Sequence, residues 1–156
     1  MKRILTSAIL AIAALGSSQI YAAANGTATG TFDVNIGLTS LCQVNASATN
    51  PATITNMSFT YTSFQTTDAL ASTSFGVRCT NTLPFSMVLD ATSVTDAATN
   101  LAYTLALPVT SGTGDGTSQS FTVNGKIVAG QVGTCSTGSC NNSLGAGKTR
   151  TLTVTY

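Results

Sequence analysis

Apolar and polar residues alternate almost without fault along GTFDVNIGLTSLC, residues 30–42. Successive side chains of a β-strand point to opposite faces. The apolar residues that would share one face are Phe32, Val34, Ile36 and Leu38. The pattern therefore predicts an amphipathic strand near the N-terminus.

The rest of the chain shows the same period of two, or short β-rich runs bounded by Asn, Gly, Pro or Ser. No stretch after residue 25 keeps the helical period of about 3.6 residues. The predicted strands are 28–45, 52–62, 71–81, 84–91, 101–107, 118–132 (broken near Gly125) and 148–156, and the predicted turns are 50–51, 81–82, 96–100 and 111–116. Such short strands with frequent turns predict one all-β domain, a sandwich of immunoglobulin-like size.

The C-terminal run TLTVTY places Leu152, Val154 and Tyr156 on one face. Because the sequence ends there, we expect one edge of this strand to stay uncovered. An uncovered apolar edge invites pairing with another chain, and neither terminal strand carries a proline to prevent it.

The first residues predict an export signal. Met1-Lys2-Arg3 is positive, residues 4–15 are largely apolar, and residues 22–24 are alanines that suit cleavage. A membrane span needs about 20 apolar residues, so the run is too short. We predict a signal peptide at 1–24, export through the inner membrane to the periplasm, and a mature chain from Asn25.

Charge and cysteine content narrow the partners and the compartment. Cleavage would leave four basic side chains against five aspartates, too little positive charge to hold a nucleic acid or an anionic membrane. Four cysteines in an oxidising compartment indicate two disulfides, with three possible pairings. We predict Cys42–Cys79 and Cys135–Cys140. A metal site is disfavoured because the chain has no His and no zinc-like Cys spacing.

Catalytic patterns are weak throughout. Without His there is no Ser-His-Asp or Cys-His arrangement, there is no Glu, and the five aspartates are scattered at Asp33, Asp68, Asp90, Asp96 and Asp115. GAGKT at 145–149 lacks the first glycine and the following helix of a phosphate-binding loop. SGTGDGTS at 111–118 has one carboxylate where a calcium loop has several, so a mobile hairpin tip is favoured. We predict no enzyme activity, metal or cofactor.

The aromatic residues leave two interpretations open, a sugar-stacking platform or core. They recur at strand spacing, which favours the core. They are Phe59, Tyr61, Phe64, Phe75, Phe85, Tyr103 and Phe121.

Several segments, taken in order, resemble a known family. They are GTFDVNIGLTSLCQV (30–44), MSFTY (57–61), FGVRCT (75–80), PFSMVLD (84–90), LAYTLAL (101–107), FTVNGKI (121–127) and TLTVTY (151–156). The chain resembles the spore coat protein U domain, which is also the subunit domain of archaic chaperone–usher pili of Gram-negative bacteria. It departs at Thr60, where the family usually has Gly, and at Lys148 and Arg150, where Tyr and Asp are usual.

The resemblance implies an incomplete immunoglobulin-like sandwich that lacks its last strand and is completed by a donor strand from a neighbouring subunit. It implies a donor at 25–38 and a pilin domain at 39–156. The implied donor side chains are Phe32, Val34, Ile36 and Leu38, and the implied groove edge and chaperone contact are Leu152, Val154 and Tyr156.

The function that we expect is that of a structural subunit of a surface pilus, assembled by donor-strand exchange and supporting adhesion or biofilm formation. The implied partners are neighbouring copies or related pilus subunits, a periplasmic chaperone and an outer-membrane usher. The alternatives are a monomeric secreted carbohydrate-binding module, a spore or cell coat protein and, last, a secreted hydrolase.

Overall fold

The computed structural model describes residues 26–47, 52–143 and 148–156. The chain divides into two units, Met1–Ile36 and Gly37–Tyr156. The described residues of the first unit, 26–36, are exposed and have no regular secondary structure. The predicted signal peptide, residues 1–24, lies outside the described residues.

The second unit is an antiparallel, immunoglobulin-like β-sandwich, and its described residues include no helix. The five-stranded sheet has the order β1-β2-β7-β5-β4, and the three-stranded sheet has the order β6-β3-β8. The strands are β1 (Cys42–Val44), β2 (Ala69–Cys79), β3 (Pro84–Leu89), β4 (Ser93–Thr95), β5 (Ala102–Ala106), β6 (Ser111–Thr113), β7 (Ser118–Ile127) and β8 (Leu152–Thr155). The predicted all-β fold class is confirmed.

Alternation along the strands builds the core between the two sheets. Every second residue of β2, β3 and β7 points inward, because strand side chains alternate between faces. The Phe121 ring lies 5.9 Å from the rings of both Phe75 and Phe85, measured between centroids, and so joins the sheets. The buried apolar side chains of this core are Phe75, Val77, Cys79, Phe85, Met87, Leu105, Val123 and Ile127.

The predicted strands at 71–81, 84–91 and 101–107 correspond to β2, β3 and β5, with ends shifted by one to two residues. The predicted break near Gly125 is wrong. Gly125 pairs with Ala71 on one side and Leu105 on the other, and a Cβ there would clash with the side chains of Met57 and Phe59. The glycine therefore makes room for the core rather than ending the strand.

Two short strands were not predicted. Of two predicted strands, one forms over three residues only and the other does not form. β4 and β6 are new, and β6 occupies part of the stretch that we expected to be a hairpin tip. Of the predicted strand 28–45 only Cys42–Val44 forms, and residues 52–62 form none. Residues 28–40 and 52–62 alternate, but a strand also needs a hydrogen-bonded neighbouring strand, which neither segment has among the described residues.

Both predicted disulfides are confirmed. Cys42 and Cys79 lie directly opposite each other on β1 and β2, with their Cα atoms 4.1 Å apart. Cys135 and Cys140 close a short loop after β7 and are exposed. The first bond therefore joins the edge strand to the core, and the second constrains a surface loop.

Gly114→Ala should destabilise the sandwich by about 1–3 kcal/mol, because overpacking a core forces backbone shifts. Gly114 is buried, donates its N–H to the Leu83 carbonyl at 2.8 Å, and accepts from the Thr82 N–H at 2.8 Å. A Cβ there would clash with the carbonyl oxygen of Thr80 and lie 2.9 Å from the carbonyl carbon of Cys79.

Urea unfolding measures the effect, with Gly138→Ala as the control. Gly138 has no atom within 4 Å of the added Cβ, so its change should stay within about 0.5 kcal/mol. Equal losses for the two variants would contradict the prediction.

Candidate assembly site at the sandwich edge

The last strand, β8, lies at the edge of the three-stranded sheet. It pairs with β3 from Ser86 to Leu89, and no other described strand pairs with its second edge. Leu152 and Val154 are half-buried and pack against the core, whereas Tyr156 is 54% exposed. The three predicted groove-edge residues thus lie along an edge whose backbone can accept a further strand.

Two contacts position the start of β8 beside the end of β3. Arg150 Nη1 lies 3.3 Å from Asp90 Oδ2, and the Asp90 N–H donates to the Thr151 carbonyl at 2.9 Å. The ion pair is partly exposed, so it contributes at most about 1 kcal/mol. Its effect is to start the edge strand in register with β3.

A second segment next to the core, residues 52–61, has no strand beside it. Residues 52–61 make no backbone–backbone hydrogen bond with another described residue. Side chains hold the segment instead: Thr73 Oγ1 donates to the Thr55 carbonyl at 2.6 Å, and Asn45 Nδ2 donates to the Thr53 carbonyl at 2.7 Å. Its inward residues are Ile54, Met57, Phe59 and Tyr61, all half-buried.

Residues 52–62 were predicted as an ordinary strand, and they were not singled out in the sequence as part of a candidate site. The signal was their alternation, which is real. Ile54 and Met57 pack against the same core cluster as Leu152 and Val154 of β8. The core therefore has two extended segments against it, each with backbone groups that no described strand uses.

The predicted donor residues are exposed. The exposed fractions are 87% for Phe32, 70% for Val34, 87% for Ile36 and 80% for Leu38. Residues 26–41 have no regular secondary structure and are exposed throughout. Large apolar side chains repeated along one exposed segment are typical of an interaction surface.

The loop closed by Cys135–Cys140 is tied to the turn after β4 through Asp96. Asp96 Oδ1 accepts from the Thr99 N–H at 2.8 Å and from Thr99 Oγ1 at 2.7 Å, and Oδ2 accepts from Asn142 Nδ2 at 3.0 Å. Burial raises the pKa of Asp96, but the hydrogen bonds from Thr99 and Asn142 outweigh it and lower the pKa below its ordinary value of 3.8.

Asp96 should make stability fall in acid. A carboxyl with a lowered folded pKa stabilises the fold above its unfolded pKa, and this contribution disappears as pH drops through the folded pKa. Asp96→Asn should therefore be less stable than wild type at pH 7 and should lose less of its stability between pH 5 and pH 2, a range set by the unfolded pKa of about 4.

Thermal midpoints across this pH range measure the effect. Asp33→Asn is the charge-matched control, since Asp33 lies in the exposed N-terminal segment. Parallel pH profiles for Asp96→Asn and wild type would refute this role.

The other candidate sites carry little chemistry. Asp115 Oδ1 accepts from the Thr117 N–H and from Thr117 Oγ1, both at 2.8 Å, so its own loop uses this carboxylate. In the described ranges, no three His, Cys, Asp or Glu side chains come together as metal ligands. Residues 145–147 of GAGKT lie outside the described residues.

Core placement is confirmed for four of the seven aromatic residues, Phe75, Phe85, Tyr103 and Phe121. Phe59 and Tyr61 are half-buried, and the Phe59 ring lies 6.1 Å from the Tyr103 ring, measured between centroids. Phe64 is 69% exposed. Its backbone φ is 66°, in the left-handed region that bulky residues avoid.

Comparison with known protein families identifies the family of this chain. A family model described as the Spore Coat Protein U domain matches residues 28–107, just over half of the chain. The chain belongs to the Spore Coat Protein U domain family. The matched range includes the exposed residues 28–41 and ends just after β5, so β6, β7 and β8 lie beyond it.

Membership in the Spore Coat Protein U domain family confirms the resemblance seen in the sequence. It indicates a structural subunit of pilus or coat type and a secreted surface or coat protein. No curated protein and no solved structure matched the chain. Within the part of the chain that the structure describes, no helix has the length and apolar character to cross a membrane.

Proposed function

We propose that this protein is a structural subunit of a surface fibre, built by donor-strand exchange and supporting adhesion or biofilm formation. One observation carries the proposal. The chain exposes an alternating apolar segment at its N-terminal side, while β8 at the edge of its sandwich pairs with only one of the described strands.

The chemistry of the two surfaces matches. A donated strand gains main-chain hydrogen bonds from the edge that it joins, and its alternate side chains enter apolar pockets. Each large apolar side chain that becomes buried is worth about 1.5–3 kcal/mol. In the proposed junction, Phe32, Val34, Ile36 and Leu38 of one copy turn toward the core of the next, between β8 and residues 52–61.

Such a contact is directional. The donor and the acceptor are different surfaces of one chain, so each added copy leaves a new donor or acceptor exposed. Head-to-tail contacts that do not close produce filaments. The edge of an incomplete subunit also needs protection before assembly. We propose that a periplasmic chaperone covers this edge with a strand of its own, and that an outer-membrane usher exchanges the chaperone strand for the donor strand.

Truncation and peptide addition test the proposal. The mature chain from Asn25 should polymerise, and a chain starting at Thr39 should not. A synthetic peptide of residues 26–38 should raise the thermal midpoint of the truncated chain, and the same peptide carrying Ile36→Asp should leave it unchanged. A truncated chain that stays monomeric, with the stability of the mature chain and no response to peptide, would identify a self-contained binding module instead.

A further inference from the structure

An exposed aromatic ring is held out from the sandwich on a rigid turn. Residues 62–65 form this turn, in which the Gln65 N–H donates to the Thr62 carbonyl at 3.1 Å and Phe64 has φ 66°. Glycine normally occupies a turn position with positive φ, because a side chain there is strained. The ring nevertheless remains 69% exposed.

Hydrogen bonds hold the turn against the segment that follows β7. The Phe64 N–H donates to the Gln131 carbonyl at 3.0 Å, the Gly130 N–H donates to the Gln65 carbonyl at 2.8 Å, and Ser63 Oγ donates to the Val132 carbonyl at 2.6 Å. Val132 is also 59% exposed. Several hydrogen bonds thus hold the strained backbone of Phe64 in place. Such strain is typical of functional positions, which indicates that the exposed ring binds something outside the subunit.

A shallow depression of about 230 Å³ lies at the opposite end of the sandwich. A cavity of about 150 Å³ already admits a benzene ring. Arg78 Nε donates to the Gly116 carbonyl at 3.0 Å, and Leu41 is 52% exposed. The depression is lined by Leu41, Gln43, Arg78, Cys79, Thr80 and Gly116. It combines an apolar wall with a guanidinium group, which favours an aromatic ring.

Strand directions place the ring and the depression at opposite ends. Residues 128–132, which hold the Phe64 turn, follow Ile127, the partner of Ala69 at the start of β2. The depression surrounds Arg78 at the end of β2. The ten residue pairs between β2 and β7 span the distance between these ends, which is about 30 Å at 3.3 Å per residue.

The donor segment starts from the end that carries the depression, since residues 26–41 lead directly into β1 beside it. All described ladders are antiparallel, and antiparallel pairing is slightly more stable per residue. If the donor strand runs antiparallel to β8 of the acceptor, the C-terminal end of the donor strand emerges from the acceptor where β8 begins, at Leu152, which lies opposite Leu89 of β3. β3 starts beside the depression and ends at Leu89. The donor strand therefore emerges at the end of the acceptor that carries Phe64.

We propose that in the fibre Phe64 of one copy docks into the depression of the next copy, as a second head-to-tail contact beside the donated strand. The inference rests on the proposed function. The partner is a second copy of this chain, because antiparallel donation brings the Phe64 end of the acceptor against the depression end of the donor.

Photo-cross-linking tests this contact in assembled fibres of the full chain. Phe64 is replaced by benzoylphenylalanine, the fibres are irradiated, and linked peptides are identified by mass spectrometry. We expect links to residues 41–43, 78–80 or 116 of another copy. Leu41→Asp should lower their yield about tenfold, the ratio that corresponds to about 1.4 kcal/mol. Benzoylphenylalanine at Val88, exposed on β3, should give no links to these residues.

A second variant separates docking from folding. Phe64→Gly relieves the positive φ, so the thermal midpoint of the subunit should stay the same or rise. Its fibres should still form through the donor strand, but they should dissociate in urea about tenfold faster, for the same energy ratio. Links from position 64 to the Phe64 end of the neighbour, or to any other region, would overturn the contact, as would dissociation of Phe64→Gly fibres at the wild-type rate. Absence of fibres from the wild-type chain would overturn the proposed function and this contact with it.

Discussion

A chain carrying Ile36→Asp should fold and be exported as wild type does, but it should not grow into fibres. Ile36 is 87% exposed in the single chain, so the carboxylate stays in water before assembly. In the proposed junction the side chain enters an apolar pocket. There the variant loses about 1.5–3 kcal/mol of burial and must also desolvate an unpaired charge. The affinity of donor for acceptor should fall at least about 100-fold, since about 1.4 kcal/mol is tenfold.

Asn35→Asp is the matched control. It adds the same charge one residue away, where the side chain would point to the opposite face of the donor strand. Electron microscopy of the cells and size-exclusion chromatography of the purified chain measure assembly. Full-length fibres from Ile36→Asp, or loss of fibres from both variants, would show that this face of the segment does not enter the neighbour.

Removing the Cys42–Cys79 disulfide should destabilise the sandwich by about 4 kcal/mol, the chain-entropy value for its sequence separation of 37. A small domain has about 5–15 kcal/mol in total, so this loss would remove a large share of the stability of the subunit. The bond also holds β1, an edge strand of three residues that pairs, among the described strands, only with β2.

Two double variants are compared: Cys42→Ala with Cys79→Ala removes the first bond, and Cys135→Ser with Cys140→Ser removes the second. The second bond has a sequence separation of 5 and lies in an exposed loop, so its loss should cost about 2 kcal/mol. Urea unfolding of the oxidised chains measures both. Equal losses, or a larger loss from the exposed loop, would contradict the role assigned to Cys42–Cys79.

The first of these predictions depends on β8, whose second edge pairs with no other described strand. Many sheet proteins protect their edges with charge, proline or a covering loop. Here β8 carries none of these among Leu152–Thr155, and Leu152 and Val154 lie on the core. The edge is therefore suited to pairing, and the exposed donor residues have the alternation that such an edge accepts.

Much of this fold could be predicted from the sequence alone. The alternation in β2, β3, β5 and β7 identified the inward residues, because a strand exposes one face to the core and the other to water. The order of short segments indicated the Spore Coat Protein U family. Four cysteines indicated two disulfides, and the structure confirms the pairing that was predicted among the three possible ones.

Tertiary structure decided which alternating segments acquire a partner. A period of two shows which side of a segment is apolar, but it does not show whether another backbone lies within hydrogen-bonding distance. Residues 28–41 and 52–62 therefore look like strands in the sequence and form none in the structure, while β4 and β6 form outside the predicted strands. The exposed, strained Phe64 was unpredictable for a related reason: its aromatic spacing matches core positions, and only the turn that residues 62–65 form against Gln131 directs the ring to solvent.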